Sequence, residues 1–381
     1  MTFPATALRA AATTWGTPLY VTDLDLASSA AGRWTQAVPG ALVAYAVKAN
    51  PDPALLARLA ADGIGAEVVG PVELALALRA GIPPDRIVVN GAGQTDADLR
   101  AALASGALVN AESLDGLRTL LGADGGGRIG LRLNPGLDAE THPHLATGSA
   151  ASKFGIAMDE LAAAADLLRA AGVVPASVGG HIGSAIDDPA PFGRLAAVLR
   201  PIADELGAAR IDVGGGFTGD PERWAAVVLP QAGDVARLIV EPGRTIVRDA
   251  GWLLTRVVRV QARGHLVTDA GMTELLRPML YGATHPVTLL EPGDELPHDG
   301  PWTLSGPICE AGDVLARSVE LGERQGAGAL LAIGEAGAYG AAMASNYNGR
   351  LRPAQAVLEG GVPRLSRRRE TLADLVGRDV G

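Results

Sequence analysis

The sequence predicts an α/β chain: a (β/α)8 barrel of the TIM type followed by a C-terminal antiparallel β domain. Three observations carry this. Short apolar runs alternate with Ala/Leu-rich helical stretches across residues 25–248, there are eight such runs, and the pattern changes after 248 to β-branched segments bounded by Gly, Pro and Asp. Runs that are apolar throughout and separated by helices pair in parallel, with both sheet faces covered. Eight of them favour a closed barrel over an open doubly wound sheet.

The elements follow in order. ALVAYAV (41–47) reads as a buried strand, and ALLARLAADG (54–63) as the helix behind it. GAEVV (65–69) precedes the helical VELALALRAG (72–81), and RIVVNG (86–91) precedes ADLRAALASG (97–106). ALVNA (107–111), RIGLRLN (128–134), SVGGHIG (177–183), RIDVGG (210–215) and ARLIVEPG (236–243) complete the eight. Beyond 248, WLLTRVVRVQARG, HLVTD, PVTLL, ARSVEL and GALLAI read as strands of an all-β unit, sandwich-like or barrel-like. PLYVTD (18–23) is expected to join them, so the second domain comprises 1–24 with 249–381.

Composition narrows the function classes. At 48% hydrophobic and 19% charged, the chain is of globular type, and 381 residues suit two domains. A net charge of -10 disfavours nucleic acid and anionic membrane surfaces as partners. The lone cysteine, Cys309, excludes an intrachain disulfide and suits a reducing cytoplasm. No targeting segment and no membrane-length apolar run is visible. The histidines at 142, 144, 181, 265, 285 and 298 show no zinc-site spacing, so no metal is expected.

Polar residues gather at the C-terminal ends of the barrel runs: Lys48, Glu67, Asn90, Arg132, His181, Gly214–Gly216 and Glu241. That edge is the active-site mouth of a barrel. Lys48, in YAVKAN, would present a partly desolvated amine suited to carbonyl chemistry, or simply a lysine reaching for solvent. DVGGGF (212–217) and EPGRT (241–245) end adjacent strands, and their backbone N–H groups can cradle a phosphate, with Ser184 and Arg244 adding donors; the plainer reading is two turns. Glu241 would face a pyridine nitrogen that must stay protonated, or act as a helix-capping charge. His181 would stack on an aromatic cofactor, or be a structural histidine. Together these groups are what pyridoxal 5'-phosphate requires.

The motifs YAVKAN, LRLNPG followed by THPHLATG and SKFGI (131–156), HIGS, DVGGGF, EPGR, RPMLYGATHP (277–286), GPICEAGD (306–313) and GAYGAAMASNYNGRLRP (337–353) span nearly the whole chain. In this order they resemble the fold-type III pyridoxal-phosphate decarboxylases related to alanine racemase, and most closely the diaminopimelate decarboxylases. The resemblance implies that Lys48 holds the cofactor as a Schiff base, that His181 stacks on its ring and that Glu241 pairs with its nitrogen. Ser184, Gly215, Gly243 and Tyr347 would hold the phosphate. It also implies a homodimer with shared sites, in which GPICE of one subunit reaches the other's barrel. Cys309 would then donate the proton that replaces CO2, although a single cysteine is otherwise commonly a small buried hydrophobe. For a small amino-acid substrate, Arg244, Arg277 and Tyr281 match the positions that bind the distal carboxylate of diaminopimelate, and Glu310 the one that receives its distal amine. Arg277 alone would read as a surface ion pair.

The sequence departs from the family at several places. Glu67 and Gly70–Pro71 stand where an Asp and a Ser-Gly-Gly-Glu run are usual. Ala185 and Ala311 replace the usual Gln and Ser, and NGAGQTD (90–96) replaces the common Gly-Asn-x-Lys form. These departures bear on substrate choice and leave the reaction class intact. The expected reaction is decarboxylation of meso-2,6-diaminopimelate, or a close analogue, to L-lysine and CO2. The alternatives are a specialised amino-acid decarboxylase of natural-product biosynthesis, a cofactor-free regulatory homologue and a racemase.

Overall fold

The eight apolar runs become eight parallel strands that close on themselves. The computed structural model describes residues 3–123, 127–137, 152–294, 300–321 and 325–380. Two compact units divide the chain: Ser28–Pro51 with Leu56–Ile246, and Met1–Ala27 with Asp52–Leu55 and Val247–Gly381. The first strand, β1 (Leu19–Asp23), belongs to the second of these.

The barrel consists of β2 (Leu42–Ala46), β3 (Gly65–Val68), β4 (Ile87–Val89), β5 (Leu108–Ala111) and β6 (Arg128–Asn134). After the two-residue β7 (Ile156–Ala157), which pairs only with the end of β6, come β8 (Ser177–Gly179), β9 (Arg210–Asp212) and β10 (Leu238–Val240). Each pairs in parallel with the next around the ring, β6 with β8, and β10 with β2 to close it. Leu42, Ala44, Val88, Leu108 and Ile239 form an apolar plug among the strands.

Local chemistry sets the helix ends. Thr95 opens Asp96–Ala104 with a reciprocal cap: Asp98 N donates to Thr95 Oγ1 (3.2 Å), and Thr95 N donates to the Asp98 carboxylate (3.0 Å). Ser113 and Asp220 cap the helices Leu114–Leu121 and Pro221–Ala232. Trp224 on the latter is wholly buried and meets Trp34 and Phe192 edge-on, at ring separations of 5.4 and 6.1 Å, while Phe192 meets Phe217 at 5.9 Å. This aromatic cluster underlies the Gly214–Gly216 turn, with which it lines a small cavity that Glu241 also borders.

The second unit is built on one branched sheet. Its further strands are β11 (Gly251–Gln261), β12 (His265–Thr268), β13 (Val287–Glu291), β14 (Trp302–Ser305), β15 (Val314–Val319), β16 (Leu330–Ile333), β17 (Ala354–Glu359) and β18 (Val362–Arg367). The order is β15-β14-β12-β11-β1-β17-β18, and β16 pairs with both β11 and β13. As PLYVTD suggested, β1 lies in this sheet, between β11 and β17. Most pairings are antiparallel, but β1–β17 and β12–β14 are parallel, so the sheet is mixed. Alternation along a strand assigns its residues to two cores. Tyr20 and Leu253 enter one, while Leu19, Val21, Trp252 and Leu254 enter the other, beneath Leu8 and Ala11 of the helix Ala5–Trp15. Among the described residues no helix is long and apolar enough to cross a membrane.

The aromatic cluster should carry much of the barrel's stability. Trp224→Ala removes a buried ring that three other aromatics cannot collapse to replace, at a cost of about 3–5 kcal/mol. Urea unfolding followed by far-ultraviolet circular dichroism should show a clearly lowered midpoint; an unchanged midpoint would exclude the cluster as a stability centre.

Candidate active site

Every polar residue singled out at the strand ends sits at the C-terminal edge of the barrel. Lys48 follows β2 in a single 3-10 turn, Val47–Ala49, which lifts its side chain out of the strand line and leaves it partly exposed. Its Nζ donates to Glu67 Oε2 of β3 at 2.5 Å. Glu67 is only 1% exposed, so its charge is desolvated on every side but the lysine's and that of Asn90, whose Nδ2 lies 3.3 Å from Oε1.

Glu241 follows β10 and is buried. Its Oε1 accepts from Asn90 Nδ2 at 2.8 Å, and it shares a hydrogen bond with Asp212, the last residue of β9. Burial raises the Glu241 carboxyl well above its ordinary range, the negative charges of Asp212 and Glu67 add to this, and Lys48 and Arg132 oppose it. Burial likewise pushes Asp212 up to about 6, despite the bond it accepts from Gly214 N–H at 2.9 Å. This barrel therefore holds an acid pair that a nearby cation would ionise. A helix-capping role for Glu241 is set aside by that enclosure.

Half-buried His181 lies against the glycine turn. Gly215 N–H donates to its Nδ1 at 3.2 Å, so the proton of the neutral ring resides on Nε2. Desolvation, with Arg132 and Lys48 adding to it, holds the imidazole well below its ordinary range, and the ring is neutral and apolar enough to stack. The turn itself demands glycine. Gly214 and Gly216 have φ of +67° and +103°, and a Cβ on Gly216 would meet the Gly183 carbonyl oxygen at 1.9 Å. Ile186 N–H bonds Gly216 O at 3.0 Å and Thr218 N–H bonds Ile186 O at 2.9 Å, lacing this loop to the HIGS loop. Ser184 accepts from Arg244 Nη2 at 3.2 Å, which brings the third predicted loop, EPGR, to the same place. Gly243 packs there against Ala46 and Ala49, with room for a Cβ at only 3.0–3.1 Å.

The remaining predicted residues belong to the second unit. Arg277 begins the short helix Arg277–Tyr281 and directs Nη1 to His285 Nε2 at 3.3 Å, while His285 Nδ1 bonds the Gly334 carbonyl at 3.0 Å. With Nδ1 donating to that carbonyl, His285 offers Nε2 as an acceptor to the guanidinium. Tyr281 closes the same helix. Cys309 is exposed, contrary to the small-hydrophobe reading. Its GPICE loop hangs on buried Asp313, whose carboxylate accepts from Met272 and Ile308 N–H, each at 2.6 Å. Tyr347 donates to Glu310 Oε1 at 2.6 Å, uniting two predicted residues, and this bond raises the phenol above its ordinary range.

Several groups escape a reading of the sequence. Asp212, Glu112, Asn110 and Ser177 are all buried in the barrel. Glu112 pairs with Arg132 at 2.9 Å and accepts from Gly91 N–H, which anchors the chain just beyond Asn90. Their only signal is an acid, amide or hydroxyl inside an otherwise apolar run. THPHLATG and His298 lie outside the described residues. Among those described, no cluster of His, Cys, Asp or Glu suits a metal.

An amine, a buried acid pair and glycine loops laced into one cradle thus share a barrel rim. The signature of the family described as pyridoxal-dependent decarboxylase, pyridoxal binding domain, matches residues 25–248. The chain belongs to the pyridoxal-dependent decarboxylases. It is similar to the diaminopimelate decarboxylase of Deinococcus radiodurans, 42% identical over 98% of each chain. It is also similar to that of Pseudomonas aeruginosa, 38% identical over 97% of this chain and 94% of the other. A crystal structure of diaminopimelate decarboxylase from Helicobacter pylori complexed with L-lysine superposes with a TM-score of 0.89 at 33% identity, covering 97% of this chain and 98% of that one. Pyridoxal phosphate is the cofactor, and this decarboxylase's residues fit it. The phosphate suits a cradle that any Cβ would fill, the aldehyde suits the Lys48 amine, and a protonated ring nitrogen is the cation that the Glu241–Asp212 pair lacks.

The cradle gives a direct test. In Gly216→Ala a methyl group would force the two laced loops apart, at a strain of about 1–3 kcal/mol. Cofactor affinity should fall roughly tenfold or more by equilibrium dialysis. Retained affinity would mean that the phosphate sits elsewhere.

Proposed function

We propose that this decarboxylase converts meso-2,6-diaminopimelate to L-lysine and CO2. The full-length likeness to diaminopimelate decarboxylases supports the substrate, and one local observation carries it: Arg277 is held ready by His285 in the same unit as the Glu310–Tyr347 pair. Guanidinium and carboxylate groups of this kind suit a far end bearing both a carboxylate and an ammonium.

Each residue then has a task. When bound, pyridoxal phosphate supplies the electron sink for the pair released as CO2 departs. Lys48 attaches the cofactor, and Glu67 is the base within reach of its amine proton. Glu241 holds the proton on the ring nitrogen. His181 covers the ring face, and Ser184, Gly215, Gly243 and Tyr347 hold the phosphate, the glycines through backbone N–H. Arg244, Arg277 and Tyr281 bind the distal carboxylate, Glu310 the distal amine, and Cys309 delivers the proton that replaces CO2.

We further propose a homodimer with shared sites. A thiol that must protonate a carbon centre before water does needs a dry setting, yet Cys309 is exposed in the single chain and Tyr347 is 48% exposed. A second copy covering them would supply that setting. The boundary 25–248 against 1–24 with 249–381 fits this division, with the barrel binding the cofactor and the other unit presenting the loops. A reducing cytoplasm suits a site that depends on a free thiol.

Two experiments test these readings. In a panel of meso-diaminopimelate, L-lysine, ornithine, arginine and D-amino acids, diaminopimelate should release CO2 fastest. Arg277→Ala should lower that rate by roughly two to three orders of magnitude, as loss of a charge-assisted contact implies. Another amino acid leading the panel would favour the specialised decarboxylase. Mixing Lys48→Ala with Cys309→Ala protein should restore activity, because each mixed dimer carries one intact site. No recovery despite measured subunit exchange would rule out sharing.

A further inference from the structure

Three side chains with no part in that chemistry form a line of hydrogen bonds through the barrel. Ser177 Oγ donates to Asn110 Oδ1 at 2.8 Å, and Asn110 Nδ2 donates to Asn90 Oδ1 at 2.9 Å. Asn90 Nδ2 then donates to Glu241 at 2.8 Å and Glu67 at 3.3 Å. None of the five is more than 5% exposed.

The direction is dictated by the end of the line. Glu67 is paired with Lys48 and accepts, so Asn90 turns its NH2 to Glu67 and Glu241 and its oxygen away. Asn110 must then offer its own NH2, and its oxygen needs a donor, which Ser177 provides. The fold reserves space for this junction. A Cβ on Gly130 of β6 would meet Asn110 Oδ1 and Ser177 Oγ, each at 2.1 Å. Buried amides aligned head to tail strengthen one another, and here every dipole points its positive end at the two acids.

We propose that Asn90, held by Asn110 and Ser177, is a positioning residue that ties Glu67 and Glu241 to one donor and favours the ionised form of Glu241. This rests on the reading of the barrel rim as the cofactor site. The charged groups that act on Glu241 are Asp212 from β9, Glu67 from β3, Lys48 after β2 and Arg132 from β6. His181, beside the glycine turn, is neutral. Asn90 is the uncharged donor in this set. Its loss favours the protonated acid, so Glu241 would take up a proton at higher pH and cease to hold one on the ring nitrogen.

The test uses the holoenzyme with Asn90→Leu, Asn110→Leu and Asn90→Gln. The first readout is the pH dependence of the bound cofactor's visible absorbance without substrate. The second is kcat and KM against pH for CO2 release from meso-diaminopimelate. In Asn90→Leu the acid limb of kcat and the absorbance transition should both move up by roughly one to two pH units, the value of a charge-assisted hydrogen bond, with KM little changed. Asn110→Leu should shift both by less in the same direction, because it acts only through Asn90. Asn90→Gln, which keeps the amide donor, should return toward wild type. A folded Asn90→Leu enzyme that titrates like wild type overturns the proposal, as does an Asn110→Leu enzyme altered in KM but not in its pH transitions. Should Asn90→Leu fail to fold, Asn110→Leu decides by the same two outcomes. The absorbance titration needs no substrate, so wild-type enzyme that binds cofactor but leaves diaminopimelate untouched would sink the substrate reading and leave this test intact.

Discussion

The crowding of three carboxylates, Glu67, Asp212 and Glu241, into one desolvated barrel interior is the constraint on which the site depends. Asp212 and Glu241 are costly to ionise there, and the charge of Glu67 raises that cost for both. Lys48 and Arg132 offset part of this, but Lys48 is committed to Glu67 and Arg132 to Glu112. Asp212 is consequently pushed up to about 6, and Glu241 well above its ordinary range. A cationic group beside Glu241, as proposed for the cofactor's ring nitrogen, offsets that cost. The same electrostatics that disfavour ionisation of this pair thus favour a cationic group beside it.

The surroundings convert this charge arrangement into geometry. Gly214–Gly216 place backbone N–H groups where side chains would block, and the Trp34, Phe192, Phe217 and Trp224 cluster gives that turn a rigid floor. Two N–H groups of the turn are directed at side chains, Gly214 at Asp212 and Gly215 at His181, so the turn fixes the acid and the imidazole together. The glycine turn and the acid pair are joined, because Gly214 N–H donates to Asp212 and Glu241 N–H to the Gly214 carbonyl, on the neighbouring strand ends after β9 and β10.

Much of this was legible in the sequence because it is local. Apolar runs of strand length, a lysine at the end of one and glycine turns at the ends of two others are all set by near neighbours in the chain. Asn110 and Ser177 were invisible for the opposite reason. Each lies in a run that reads as a plain strand, and each acquires meaning only when β5, β6 and β8 are side by side. Glu67 was visible as a departure, but its pairing with Lys48 depends on the parallel register of β2 and β3. The two parallel pairings in the second sheet were hidden likewise. β1 meets β17 across more than 330 residues, and no turn signal marks such a contact. Cys309 shows the converse: composition alone favours a buried cysteine, and the loop fixed by Asp313 exposes it.

The two units bear different kinds of constraint. Inside the barrel a change must preserve a closed set of donors and acceptors, since one unsatisfied amide or acid costs about 1–3 kcal/mol or more. Asn90 illustrates this. It satisfies two acids with one amide, but only because Asn110, Ser177 and the missing side chain at Gly130 complete the set. Ala311 lies instead on an exposed turn, where losing a hydroxyl leaves water to fill the gap. Exposed substitutions can thus accumulate singly, whereas a change at Asn90 has to be matched by others along its line.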